Sequence, residues 1–116
     1  VISGAASGLD FESDGNLVQN TEMYNCTNGV FMNGGSHNMV YNVWSHDNYD
    51  YGMRLTSFSE NNTIENSNVS FNGAAGIYVN GNSNTTRILN STANHHTRTG
   101  TVQDGILIEK SHFNTI

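Results

Sequence analysis

Five short runs along the chain share one pattern: a glycine, then two apolar residues separated by a single position. They read SGLDF (7–11), GVFM (29–32), GMRL (52–55), GIYV (76–79) and GILI (105–108). Strict alternation over so few residues predicts β-strands with one face buried. Aligned on Gly8, Gly29, Gly52, Gly76 and Gly105, the steps are 21, 23, 24 and 29 residues. A second series, NLVQN (16–20), NMVYN (38–42), NTIEN (62–66) and TRILN (86–90), carries Val18, Val40, Ile64 and Ile88 at steps of 22, 24 and 24, and a further copy begins at NTI (114–116). Two independent series with one period define a repeat, and a period of this length fits one turn of a parallel β-solenoid whose coils stack about 4.8 Å apart. An α-solenoid needs longer units with helical spacing, and the leucine pattern of leucine-rich repeats is absent.

Alternation assigns the faces. Leu9, Phe11, Val30, Met32, Met53, Leu55, Ile77, Val79, Ile106 and Ile108 are expected to point inward and stack coil on coil. Asp10, Phe31, Arg54, Tyr78 and Leu107 then form an outward stripe, with Glu12, Asn33, Thr56, Asn80 and Glu109 beside it. The expected architecture is all-β, a right-handed parallel β-helix of about 4–5 coils over residues 1–116. The chain opens at VISG and closes at NTI in mid-coil, which predicts flanking coils or end-to-end self-association.

Asparagine abundance follows from such a scaffold. Asn20, Asn42, Asn66 and Asn90 recur at one place per coil, and stacked amides are expected to form a structural ladder. Asn28 and Asn80 fall at bends, where asparagine tolerates left-handed backbone.

Composition narrows function by exclusion. Four Lys and Arg against ten Asp and Glu give a formal charge of −6, opposite to what a phosphate backbone requires. No apolar run is long enough for a membrane span. The single Cys26 excludes an internal disulfide framework and a cysteine-rich zinc site. Asn-x-Ser/Thr sequons at Asn25, Asn61, Asn68, Asn84 and Asn90 lean toward an extracellular or cell-surface setting.

The repeat register resembles the right-handed parallel β-helices of the pectate-lyase-like superfamily, including the NosD-type carbohydrate-binding and sugar-hydrolase repeats and the β-helix of mannuronan C5-epimerases. The resemblance covers nearly the whole chain. It implies a β-helix that binds or processes polysaccharide, acidic uronate glycans above all, on the outer face of one sheet. An enzyme of this kind would be a lyase, an epimerase or a glycoside hydrolase. The epimerases' Tyr-Gly-Phe-Asp-Pro-His strand has no copy here. SGLDFE keeps Asp10 but has Glu12 at the histidine position, and YGMRLT keeps Tyr51 and Gly52 but has Arg54 in place of the acid. No catalytic assignment carries over.

The turn before the glycine-led strand varies most, from NGAA (72–75) to NHHTRTGTVQD (94–104). Function concentrates on such loops. A notch is expected at 73–75, walled by His46, Asp50, Tyr51, His95, His96, Arg98 and Asp104 and opening onto the stripe. Uronate chemistry needs a cation for the carboxylate, a base and a proton donor. Arg54 or Arg98, a histidine and Tyr51 are eligible, with Asp50, His95, His96 and Asp104 as further candidates. Phe31, Arg54, Tyr78 and Arg98 are the expected glycan-binding residues, since aromatic faces stack on sugars and Arg forks onto carboxylates. Asp47 and Asp50 could hold Ca2+, an oxygen-seeking ion. The His95–His96 pair lacks a third ligand at diagnostic spacing, so no metal site is assigned. The rival reading is a non-catalytic structural segment of a surface, stalk or sheath protein.

Overall fold

A computed structural model describes residues 1–96 and 104–116. Twelve strands follow one another: β1 (Ile2–Ser3), β2 (Ser7–Phe11), β3 (Leu17–Tyr24), β4 (Asn28–Asn33), β5 (Met39–His46), β6 (Tyr51–Thr56), β7 (Thr63–Glu65), β8 (Asn68–Ser70), β9 (Ile77–Val79), β10 (Arg87–Leu89), β11 (Thr92–Asn94) and β12 (Ile106–Ile108). Every pairing is parallel, and no helix occurs among the described residues. One sheet runs β1-β3-β5-β7-β10, with β8 and β11 continuing it beside β5; the other runs β2-β4-β6-β9-β12. The chain winds as a right-handed parallel β-solenoid of about four turns.

The register is the one the glycine series predicts. Leu9 pairs Val30, Val30 pairs Met53, Met53 pairs Ile77 and Ile77 pairs Ile106. In the other sheet Val18, Val40, Ile64 and Ile88 stack in order, and Thr115 bridges Arg87 as the next coil begins. These inward residues, with Met23, Val43 and Val69, form one continuous core, and Leu9, Phe11, Ile106 and Ile108 pack against it. The leading glycine is set by space. A Cβ on Gly52 would overlap Val69 Cγ1 and crowd Asn72 Nδ2, and one on Gly29 would overlap Ser45 Oγ.

Corners are made by left-handed residues in rows. Asn20, Asn42, Asn66 and Asn90 have φ of 54°, 51°, 51° and 46°. Asn25, Asp47, Phe71 and His95 form a second row, and His37, Asn61, Thr85 and Phe113 a third. The first row bends each coil within its first sheet, so that β3 and β5 run through the elbow while β7 and β8, and β10 and β11, are split by it.

This elbow corrects the expected ladder. Asn20, Asn42, Asn66 and Asn90 do stack at one place per coil, but all four are exposed. Among the described residues one side-chain bond joins them, from Asn42 Nδ2 to Asn20 Oδ1 at 2.7 Å. The reason is local: the left-handed residue interrupts the alternation and leaves its own side chain outside.

Buried ladders run elsewhere. Asn16 N–H donates to Asn38 Oδ1 at 2.7 Å, Asn38 N–H to Asn62 Oδ1 at 2.8 Å, and Thr86 N–H to Asn114 Oδ1 at 2.7 Å. A second ladder passes from Cys26 N–H to Asn48 Oδ1 (3.1 Å), Asn48 N–H to Asn72 Oδ1 (3.1 Å) and Asn72 N–H to His96 Nδ1 (3.3 Å). A third uses serine, with Gly34, Ser59 and Ser83 N–H donating to Ser59, Ser83 and Ser111 Oγ. At turns the strand ladder stops, and the first two rows supply acceptors that the backbone N–H groups would otherwise lack, whereas in the serine row Gly34 and Ser83 N–H also reach the Thr56 and Asn80 carbonyls.

Candidate functional site

Strands β4, β6 and β9 carry the outward stripe in the expected order. Phe31 is paired with Arg54 and Arg54 with Tyr78, flanked by Asp10 at one end and Leu107 at the other. Neighbouring strands therefore set the three side chains about 4.8 Å apart along the stacking axis. Tyr51, at the start of β6, joins them by stacking on Tyr78 with ring centroids 4.9 Å apart.

Arg54 sits among three aromatic faces. Its guanidinium carbon lies 5.3 Å from the Phe31 ring centre, 5.6 Å from Tyr51 and 6.0 Å from Tyr78, all within reach of a cation–π contact. Arg54 makes no ion pair among the described residues, and its Nε is buried with no hydrogen-bond partner. Tyr78 Oη donates to Glu109 Oε2 at 2.8 Å and accepts from Asn80 Nδ2 at 2.9 Å. Burial, then the bond to Glu109 and its charge, push the Tyr78 phenol above its ordinary range. Burial, and then Glu12, raise the Asp10 carboxyl at the end of the row.

The other candidates scatter. His96 is buried and occupies the third rung of the Asn48–Asn72 ladder, with its Nε2 unpartnered among the described residues. Burial first, and the neighbouring His95 second, lower its pKa against the Asn72 backbone bond that raises it. Its ring faces the coil interior, where a Cβ on Gly76 would crowd Nε2, and this withdraws it from any outer-face chemistry. His95 is exposed and stacks on Phe71 at 5.1 Å. Asp50 is half-buried and its carbonyl accepts from Ala74 N–H at 2.6 Å. Asp104 is exposed, with its carbonyl accepting from Gly76 N–H at 3.1 Å. Arg98 lies outside the described residues. At the floor of the expected notch Ala74 and Ala75 are buried and Gly73 N–H is bonded to Asn48 O at 2.9 Å, while most of the wall that carries Arg98, residues 97–103, lies outside the described residues.

His46 is drawn to the other sheet, with Nδ1 2.7 Å from Asp47 Oδ2 and Nε2 3.0 Å from Glu22 Oε1. This places the Asp47 carboxylate, a candidate Ca2+ ligand, against an imidazole. No group of three or more His, Cys, Asp or Glu side chains is arranged to hold a metal ion among the described residues.

The fold and the face together define a parallel β-solenoid with a cation held among aromatic rings on one outer sheet. The chain belongs to the family described as the right handed beta helix region, which matches residues 1–116. No curated protein and no solved structure matches it.

Proposed function

We propose that this chain is an extracellular polysaccharide-binding module whose face of Phe31, Tyr51, Arg54 and Tyr78 takes an acidic, uronate-bearing glycan. One observation carries the reading: Arg54 is the cation of an aromatic row and has no carboxylate partner among the described residues. A guanidinium flanked by rings is oriented in advance, so little conformational freedom is lost when a carboxylate docks. The rings offer apolar faces to the C–H surfaces of the sugars on either side. The row runs along the stacking axis, which suits an extended chain better than a compact ligand. We assign binding and no reaction, because Tyr51 is the one candidate proton-transfer group set against Arg54. The alternative, a structural segment of a surface, stalk or sheath protein, draws on the same geometry, since three rings already cover the guanidinium.

Calorimetric titration with matched acidic and neutral hexasaccharides separates the two. Arg54→Ala is expected to weaken the acidic ligand by about 1.5–3 kcal/mol, roughly ten- to a hundredfold, the worth of a hydrogen bond to a charged group. It should leave neutral ligands unaffected. With a net charge of −6, attraction rests on local contacts and should weaken only moderately with salt. Equal affinity of parent and variant for the acidic ligand would establish the row as surface packing and favour the structural segment.

A further inference from the structure

A second concave surface lies on the opposite sheet, along the elbow. It is a shallow, open groove of about 310 Å3 crossing three coils, and Asn20, Glu22, Asn42, Trp44, Asn66 and Asn68 line it. One wall is the row of elbow amides. The other follows the register Glu22, Trp44, Asn68, with Thr92 next in line.

Three observations mark this groove as built for a ligand. Trp44 is 46% exposed, a large apolar surface left in water, and it is braced in place. Its ring lies 4.1 Å from the His46 ring, and its Nε1 donates to Ser70 Oγ at 3.4 Å. His46 is in turn held at both nitrogens by Glu22 and Asp47 and stacked on Tyr24 at 5.5 Å. The indole is therefore a fixed platform, and a preorganised aromatic face loses little entropy on binding. Second, the elbow amides are largely free. Asn42 Nδ2 donates to Asn20 Oδ1, which leaves Asn20 Nδ2, Asn42 Oδ1 and the whole Asn66 amide without protein partners among the described residues. Each amide offers both donor and acceptor, the complement of vicinal hydroxyls. Third, the residues lining the groove include no cation and one carboxylate, Glu22, so an anionic ligand is repelled.

We infer that the elbow groove is a second glycan site, specific for a neutral, extended oligosaccharide that stacks one ring on Trp44 and hydrogen-bonds its hydroxyls to the Asn20–Asn42–Asn66 amides. The amides repeat at the coil spacing of about 4.8 Å, close to the advance per residue of an extended β-linked pyranose chain, so successive sugars meet successive coils. This site is independent of the Arg54 face and lies on the other sheet.

Trp44 is the chain's single tryptophan, so its emission reports on this groove alone. Cellohexaose, mannohexaose and chitohexaose are titrated against the intact protein, with hexagalacturonate as the acidic arm. At least one neutral hexamer is expected to shift the emission saturably and to protect it from acrylamide quenching, while hexagalacturonate leaves it unchanged. Asn42→Gly keeps the left-handed backbone and removes the amide, and it should weaken the neutral ligand roughly tenfold. Arg54→Ala should leave the emission titration as in the parent, so failure here and failure at the Arg54 face are read separately. No saturable change with any neutral hexamer overturns the proposal. So does an equal response to hexagalacturonate, or an Asn42→Gly protein that binds like the parent.

Discussion

His96 stands where the two coils before it carry Asn48 and Asn72. Its Nδ1 accepts the Asn72 N–H, as an asparagine oxygen would, but the larger ring leaves a buried Nε2 without a partner among the described residues. The neutral form is what the ladder needs, and burial, followed by His95, holds the folded-state pKa below the ordinary value of 6.5. The sign follows from linkage. As pH falls through the unfolded value, the unfolded chain takes up a proton that the folded ring refuses. The contribution of His96 is fully present above that value and is lost as pH drops toward the lowered folded one. His96→Asn should remove this loss and supply an amide that fits the row. Urea midpoints at about pH 5 and about pH 8 should therefore lie closer together in the variant than in the parent. An unchanged gap would mean that the acid sensitivity originates elsewhere.

At the scale of the coil, two kinds of asparagine row carry different loads. Asn72 is fully buried; its Oδ1 accepts from the Asn48 backbone and amide, and its Nδ2 donates to Ser45 O at 3.2 Å. Asn66 is exposed and contributes a left-handed backbone. Asn72→Ala should cost about 1–3 kcal/mol, because it strands buried donors in the coil before it. Asn66→Gly should shift stability by only a few tenths of that range, since glycine adopts the same backbone without strain. Chemical denaturation of the two variants checks this, and equal losses would refute the division of roles. The same division explains what was legible in the sequence. Strand positions, coil register and the outward order Phe31, Arg54, Tyr78 could be read because alternation and the glycine step are both periodic. The buried ladder was present in the same motif, at the first asparagine of NMVYN and NTIEN and not at the last. Alternation counted through a left-handed residue slips by one, and nothing in composition marks which asparagine is left-handed. The braced Trp44 was invisible for another reason. Its support comes from Glu22, Tyr24, His46, Asp47 and Ser70, residues of three coils that only the fold brings together.

Over the whole molecule, each coil touches little beyond its neighbours: Val40 pairs with Val18 and Ile64, and Ile64 with Val40 and Ile88. Stability in such a stack is close to a sum of coil and interface contributions, and a coil is in principle removable. What cannot be altered freely is the period. Ile64 and Ile88 are one coil apart, at the 24-residue separation also seen between Asn68 and Thr92. Deleting residues 64–87 joins Thr63 to Ile88 and leaves NTILN in place of NTIEN, so every later inward side chain, left-handed corner and ladder rung keeps its phase. In the shortened stack β12 follows β6, and Leu107 takes the place of Tyr78 beside Arg54. Deleting residues 64–86 instead leaves one extra residue within the strand. A one-residue slip turns an inward set outward unless a bulge absorbs it. The first variant should retain a β-type circular dichroism spectrum and a single cooperative transition at a lower midpoint. The second, although it keeps one more native residue, should melt earlier still or without cooperativity. If the two melt alike, coil register is not what holds this solenoid together, and the strand-by-strand accounting of its core would have to be replaced by one in which the corners carry the stability.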